Sequence, residues 1–425
     1  MHSSAKFTTL PISMTHAKGW ESINPQFYWL FDPRYDFLLD YFVEYLKRHG
    51  LQNPKPVQVL SYQRRADWST ICVWPDEKES VFRVAEPDMV NQRFEEGQHA
   101  EVPENQDVLV AAFTGEGLKE NRFSLTSTGQ LADRLNHKGH QYLLCQEHEL
   151  PVAPFEPLIS IRHVRERHEA LLKQWGRYVL KLPKLSGGYR MTAIENTSDL
   201  EKYAAQIVSD EEPLIACAFV RHQQSFSGVG CVDADGDVRF FCANEQLIYG
   251  GFAYMGLMYP AFIDNAQLAQ VESILMKTGK LLHLEGYQGF FNVDLMLAED
   301  DSLIIAEINA RFGFSFLLFG CLFQEKSFDV LLDRADFAPI STKGRIFIVK
   351  QKGTMGETYQ GLKSNSNLVD FYNGCTDAFE TFYCGEVLAQ RYEYGSSIGI
   401  AGARFDLQED RANIVAHAEK CYLRM

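Results

Sequence analysis

Between Asn292 and Arg311 the chain reads NVDLMLAEDDSLIIAEINAR, and its polar residues are spaced for chemistry. Apolar positions alternate on both sides of the polar centre EDDS, the period-two signal of two short strands joined by a tight turn. With a loop of two or four residues, the ladder is symmetric about the bond between Asp300 and Asp301. Asp294 then falls opposite Glu307 and Asn292 opposite Asn309, all on one face because side chains alternate along a strand. The other face carries Val293, Leu295, Leu297, Ile304, Ala306 and Ile308. Facing carboxylates repel, more so when partly buried. A hard cation relieves this: Mg2+ is usually held by one or two carboxylates, with positions left for water and phosphate. A solvated acidic face is the ordinary alternative for two acids. Asn309 and Arg311, at alternate positions beyond Glu307, favour a metal site at Asp294, Glu307 and Asn309.

A second patch lies in RYVLKLPKLSGGYR. Tyr178, Val179, Leu180 and Leu182 mark a buried strand that Lys181 interrupts, and a lysine on a sheet interior needs an anion. Ser186, Gly187 and Gly188 follow, and glycines let backbone N–H groups wrap a phosphate. An edge-strand lysine followed by a β-turn reads equally well from these residues alone. No G-x-x-x-x-G-K-[ST] loop occurs in the chain. Upstream, Lys138 sits mid-way along a helical stretch, TSTGQLADRLNHKGHQYLLCQEHEL. His137 and His140 beside it lack the i, i+4 spacing of a helical zinc pair.

The elements that must position these residues follow from pattern. QFYWLFD, then an amphipathic PRYDFLLDYFVEYLKRHG, then PVQVLSY reads strand, helix, strand, with further strands at 70–74, 81–84 and 107–113. Strands are expected at 213–220 and on both sides of a DADGD turn at Asp233–Asp237, with a helix from Asn265 to His283. Ser198 with Glu201 three residues on reads as a capping box that starts the next helix. Beyond Arg311, strands are expected at 345–350 and 378–383, and GSSIGIAGARF reads as a glycine-rich turn before a last helix.

The chain of 425 residues is long enough for two or three domains, and 46% hydrophobic with 23% charged residues is ordinary for a globular protein. A net charge of −15 argues against nucleic-acid and anionic-membrane partners. Nine cysteines, scattered and without a C-x-x-C pair, fit a reduced cytoplasmic setting. The N-terminus lacks a secretory signal pattern, and no apolar run reaches the length of a membrane span.

Together the three patches resemble the ATP-grasp superfamily of carboxylate–amine ligases, over Ser127 to Leu332. That family carries a lysine in the helical approach to the ATP-binding half, here Lys138 in NHKGHQYLL. A strand lysine before a glycine-rich phosphate loop follows, here Lys181 in YVLKLPKLSGG. An acidic residue and then Glu-x-Asn-x-Arg close the pattern, here Asp294 and EINAR. The SFSGVG stretch and the long C-terminal block are most similar to pheganomycin-type peptide ligases.

The resemblance implies a mixed α/β and α+β chain: an N-terminal α/β pre-ATP-grasp domain (1–125), an ATP-grasp domain of two subdomains clamping ATP (126–335), and a C-terminal α+β extension (336–425). It implies Lys138 and Lys181 on ATP phosphates, the Ser186–Gly188 loop over them, and Asp294, Glu307 and Asn309 on Mg2+, or Mn2+ in its place. Arg311 would face the reacting carboxylate, with Arg311 and Lys181 as the catalytic groups. The segment PLIACAFV (213–220) lacks the acid that many members place there, so adenine would rest on backbone groups near Cys217 and Phe219, and the ribose contact stays unassigned. The expected activity is ATP-dependent amide formation through an acyl phosphate, from a small-molecule carboxylate and an amine, releasing ADP. A carrier-protein thiol or bicarbonate as acceptor, and a catalytically silent ATP-binding scaffold, are the alternatives. A homodimer is left open.

Overall fold

The computed structural model describes residues 129–184, 188, 190–207, 209, 211–233, 235–323, 326–331, 344–352, 385–388 and 397–423, together with five short strands before them. Those strands, β1 (Tyr28–Phe31), β2 (Val57–Ser61), β3 (Phe82–Val84), β4 (Val108–Ala111) and β5 (Phe123–Ser124), form one parallel sheet in the order β3-β2-β1-β4-β5. A parallel sheet needs long crossovers, the arrangement expected of an α/β block. The helix read from 33–50 and the strands read at 70–74 and 378–383 lie outside the described residues.

The helical stretch before the second sheet is broken in two, α1 (Gly129–Leu135) and α2 (Lys138–Glu147). Lys138 is therefore the first residue of a helix, not its middle, because His137 is extended and caps α2 by accepting from the His140 N–H at 3.3 Å. Next come β6 (Phe155–Leu158), α3 (Ile161–Trp175), β7 (Tyr178–Lys181), β8 (Thr192–Ile194), α4 (Thr197–Ala204) and β9 (Leu214–Ala218). They make a four-stranded antiparallel sheet, β6-β9-β7-β8, backed by the two helices. Leu171, Tyr178, Leu180, Tyr203 and Leu214 are its core. Asn196, not Ser198, caps α4 by accepting from the Asp199 N–H at 3.1 Å; the expected capping box fails because the helix begins two residues earlier.

The third sheet has eight strands in the order β14-β13-β10-β11-β12-β15-β17-β16. It comprises β10 (His222–Val232), β11 (Val238–Tyr249), β12 (Ala253–Tyr259), β13 (Gly289–Ala298), β14 (Leu303–Asn309), β15 (Arg345–Lys352), β16 (Gly385–Leu388) and β17 (Ser397–Phe405). Between β12 and β13, α5 (Asn265–Leu284) starts on an Asp264–Gln267 capping box and lays Val271, Leu275 and Leu282 against Phe226, Phe291, Val293 and Leu295. Each such fully buried side chain contributes about 1.5–3 kcal/mol. That covers one face and leaves the other for the site.

The glycine-rich segment read as a turn is instead β17, paired along its length with β15 and on its other side with β16. Hydrogen bonds on both sides of an internal strand override the weak strand preference of glycine. These C-terminal strands continue the sheet that bears the carboxylates, and the helix Arg411–Leu423 packs Ile414 and Ala418 on Leu247, Met258 and Phe347. Among the described residues no helix is long and apolar enough to cross a membrane.

Candidate active site

The β13–β14 hairpin pairs Asp294 with Glu307 and Asn292 with Asn309, the register expected from sequence. It reaches that register by a different route. The loop is residues 299–301, closed by Ala298 N–H on Ser302 O at 2.9 Å and Asp301 N–H on Ala298 O at 3.0 Å, with Asp301 at φ +64°. This is a type I turn followed by a left-handed residue, which shifts the ladder by one relative to an even loop. Leu297 pairs with Leu303 and Leu295 with Ile305; an irregularity after Asp294 then leaves Ala306 unmatched and shifts the ladder back. The two offsets cancel at the carboxylates but not between them. Leu303 and Ile305 are buried with Ile308 in the core, while Ile304 and Ala306, expected there, are only partly buried. A one-residue slip exchanges the faces of a strand.

Helix α2 lies along the edge strand β14. Positions i, i+3 and i+4 share a helix face, and on α2 they are Lys138, Gln141 and Tyr142. Tyr142 Oη donates to Ala306 O at 2.6 Å, Lys138 Nζ donates to Glu307 Oε1 at 2.9 Å, and the Gln141 carboxamide donates to Ile308 O at 2.5 Å and accepts from Ile308 N–H at 3.1 Å. One face of one helix thus holds three consecutive residues, and Glu307 is the middle one.

The opposing wall brings the second lysine. Lys181 ends β7, is buried, and donates to the Tyr142 hydroxyl while lying over its ring at 4.7 Å from the centroid. Ser186 and Gly187 lie outside the described residues. Gly188 has φ +76°, and a Cβ there would stand 1.7 Å from the Phe252 carbonyl oxygen, so the glycine loop touches the β11–β12 hairpin through a position no side chain can fill. At the hinge, Cys217 is buried in β9, Ala218 N–H donates to Pro154 O at 2.8 Å and Phe219 N–H to Arg177 O at 3.1 Å. Those two backbone donors are engaged within the fold. The Arg177 guanidinium stacks 3.8 Å over the Phe219 ring.

Lys138, Lys181, Gly188, Cys217, Phe219, Asp294, Glu307, Asn309 and Arg311 all line a single cleft of ≈ 220 Å³. Burial, reinforced by the Glu307 charge, pushes the Asp294 carboxyl up to about 6. Burial would also raise Glu307, but Lys138 and Arg311 outweigh it and hold that carboxyl below its usual range. Burial lowers the Lys138 ammonium despite its bond to Glu307. Arg311 is anchored by Asn136 Oδ1 at 2.8 Å and lies 3.7 Å from Glu307.

Asp294 accepts from Ser227 Oγ at 2.8 Å, Asn292 Nδ2 at 2.9 Å and Asn309 Nδ2 at 3.0 Å. With its Nδ2 so committed, Asn309 has only its amide oxygen to offer a ligand, and Asn292 Oδ1 is buried without a hydrogen-bond partner. Two carboxylates and amide oxygens on one face are the hard donor set that suits Mg2+. Among the described residues no group of three His, Cys, Asp or Glu is placed to hold a metal ion.

Sequence reasoning missed Asn136, Gln141, Tyr142 and Ser227. The spacing of Lys138, Gln141 and Tyr142 was a usable signal; Ser227 lies in the SFSGVG stretch already noted, but its bond to Asp294 joins a distant strand.

Residues 147–315 match the ATP-grasp domain family. The chain is also similar to L-propargylglycine--L-glutamate ligase of Streptantibioticus cattleyicolor, 34% identical over 85 residues, 20% of this chain and 17% of that protein. It is 21% identical over 257 residues to the [butirosin acyl-carrier protein]--L-glutamate ligase of Niallia circulans, covering 59% of this chain and 60% of that one. The chain thus spans less than two thirds of either relative. Among solved structures, carboxyaminoimidazole ribonucleotide synthase from Aspergillus clavatus, complexed with ATP, superposes with a TM-score of 0.61 at 14% identity over 93% of this chain and 99% of that one. The ADP complex of purK, N5-carboxyaminoimidazole ribonucleotide synthetase, gives 0.59 at 13% identity over 94% and 96%. At such identities the likeness is one of fold, and the fold is the ATP-grasp fold.

Proposed function

We propose that this protein is an ATP-dependent carboxylate–amine ligase working through an acyl phosphate. The observation that carries the reading is that two buried lysines, one opening helix α2 and one ending β7, line one cleft with the cross-strand carboxylate pair of β13 and β14. Phosphoryl transfer asks little covalent chemistry of a protein and much positive charge around the transferred group.

ATP would lie with its base toward Cys217–Val220 and its phosphates beneath the 186–188 loop. Asp294, Glu307 and Asn309 would hold Mg2+, which when bound neutralises the phosphates and orients the terminal one. Lys138 and Lys181 neutralise phosphate oxygens from the α2 and β7 side. Arg311, steadied by Asn136, holds the substrate carboxylate in line. A carboxylate oxygen bonds to the terminal phosphorus as the bridging bond to ADP breaks. An amine nitrogen then bonds to the acyl carbon, phosphate leaves with the acyl C–O electron pair, and the amine loses a proton to solvent. Positioning and exclusion of water carry the second step.

A second reading keeps the activation and changes the acceptor to a carrier-protein thiol, favoured by the name of the Niallia relative, which carries an acyl-carrier protein. The test is incubation with ATP, Mg2+ and a pool of amino acids, following phosphate release and new product masses. Amides with ADP are expected. AMP overturns the acyl phosphate, and a thioester on an added carrier protein selects the second reading.

A further inference from the structure

Resting on the ligase reading, we propose that the acid activated here is a monocarboxylic acid with an apolar or aromatic body, seated between Arg311 and a wall made by Phe252, Tyr254 and Phe314. The cleft has two apolar ends. One belongs to the hinge, where Val179, Cys217, Phe219 and Met296 lie together. The other lies at the phosphate end, and its position follows from contacts. Gly188 of the glycine loop touches the Phe252 backbone. Tyr254 is two residues further along β12, and its ring meets Phe314 edge-on, with centroids 5.7 Å apart. Phe314 follows Arg311 by three residues in a short helical turn, Phe314–Leu317. All three aromatic residues line the cleft, so the wall stands beside Arg311 rather than at the base-binding end.

The turn that carries Phe314 is fixed in place. A Cβ on Gly313 would stand 2.2 Å from Asn292 Oδ1, so the loop passes tightly over the carboxamide beside the carboxylates. Ser315 Oγ reaches Asn244 Oδ1 at 3.5 Å, and Asn244 Nδ2 donates to Ser227 O at 3.1 Å. Ser227, Asn244 and Ser315 are buried and neutral. Of these Ser315 lines the cleft, so the polar group it sets beside the aromatic wall is neutral.

Charge counting sets the substrate class. Among the described residues lining the cleft, the cationic side chains are Lys138, Lys181 and Arg311, with His222 at the hinge. With both lysines given to phosphate, Arg311 is the cation left for the acid among the described lining residues. A second carboxylate, as in glutamate or aspartate, would be desolvated against aromatic rings without a partner, which is costly. An apolar body gains burial and ring contacts there instead. Glutamate remains admissible as the amine.

Hydroxylamine as the acceptor isolates the activated acid, because each acyl phosphate is trapped as its hydroxamate. The full chain with ATP and Mg2+ is given leucine, phenylalanine, methionine, glutamate or aspartate in turn, and ATP affinity is measured separately by calorimetry. The expected result is a kcat/KM for the apolar acids at least tenfold above that for the dicarboxylic ones. Tyr254→Ala should raise KM for the apolar acids about tenfold while ATP affinity stays within twofold. Phe314→Arg should move the preference toward glutamate. Preference for glutamate or aspartate by the native protein overturns the assignment, as does a preference unmoved by both folded variants. ATP binding without hydroxamate from any acid also overturns it. Failure to bind ATP at all sinks the ligase reading beneath it.

Discussion

Lys138 Nζ lies 2.9 Å from Glu307 Oε1, so the ammonium at the start of α2 is bonded to a carboxylate that the metal would need. An ammonium and a metal ion would compete for that carboxylate. Nucleotide and metal binding would then hand Glu307 to the metal and Lys138 to a phosphate. Lys138→Met should weaken ATP binding by tenfold or more. The same change should tighten Mn2+ binding in the absence of nucleotide, because the competing ammonium is gone. Calorimetry for ATP and electron paramagnetic resonance for Mn2+ read the two effects, and a parallel loss of both would refute the exchange.

The Asp294 carboxyl, pushed up to about 6 by burial and by Glu307, titrates where metal binding can be followed. A metal binds only its ionised form, so proton and metal compete. Above pH 6 the affinity for Mn2+ should be flat in this group; below it the affinity should fall toward tenfold per unit. Asp294→Asn should bind weakly and lose that slope. Glu307, held low, contributes nothing to the same window.

Gln141 satisfies both backbone groups of Ile308, between Glu307 and Asn309. Gln141→Leu leaves a buried N–H and C=O without partners, at a cost of about 1–3 kcal/mol. A lower melting temperature is expected, with weaker metal binding because two proposed metal ligands flank the freed residue. Unchanged metal affinity in a destabilised variant would show that Gln141 serves stability alone.

Gly188→Ala combines a left-handed φ with a direct clash on the Phe252 carbonyl. The loop can keep its conformation or its contact, not both. ATP-dependent phosphate release should fall at least tenfold. Wild-type rates in this variant would place the glycine outside the working site.

Arg411 reaches from the C-terminal helix to Glu245, which is fully buried in β11 between Asn244 and the cleft-lining Gln246. Burial raises the Glu245 carboxyl, and Arg411 pulls it back. Arg411→Ala strands a buried carboxylate and should cost about 3 kcal/mol. Since the folded state of the variant would favour protonated Glu245, the deficit should shrink as pH falls from 8 to 5. Thermal melts across that range measure it, and a pH-independent deficit would argue against the charge.

Local pattern determined the carboxylate hairpin, the lysine strand and most helices and strands, because period-two and helical spacing are properties of the chain itself. The pairing of Asp294 with Glu307 was legible for the same reason, although the odd loop and the unmatched Ala306 that produce it were not. A turn residue adopting positive φ and a compensating irregularity depend on which strand lies alongside and what α2 grips. Tertiary structure alone placed α2 on the edge of β14, turned a glycine-rich segment into β17, and brought Ser227 to Asp294 and the Tyr254–Phe314 wall to the cleft. Those relations join residues far apart in sequence, whose meeting is decided by how sheets and helices pack and not by the spacing of any one segment.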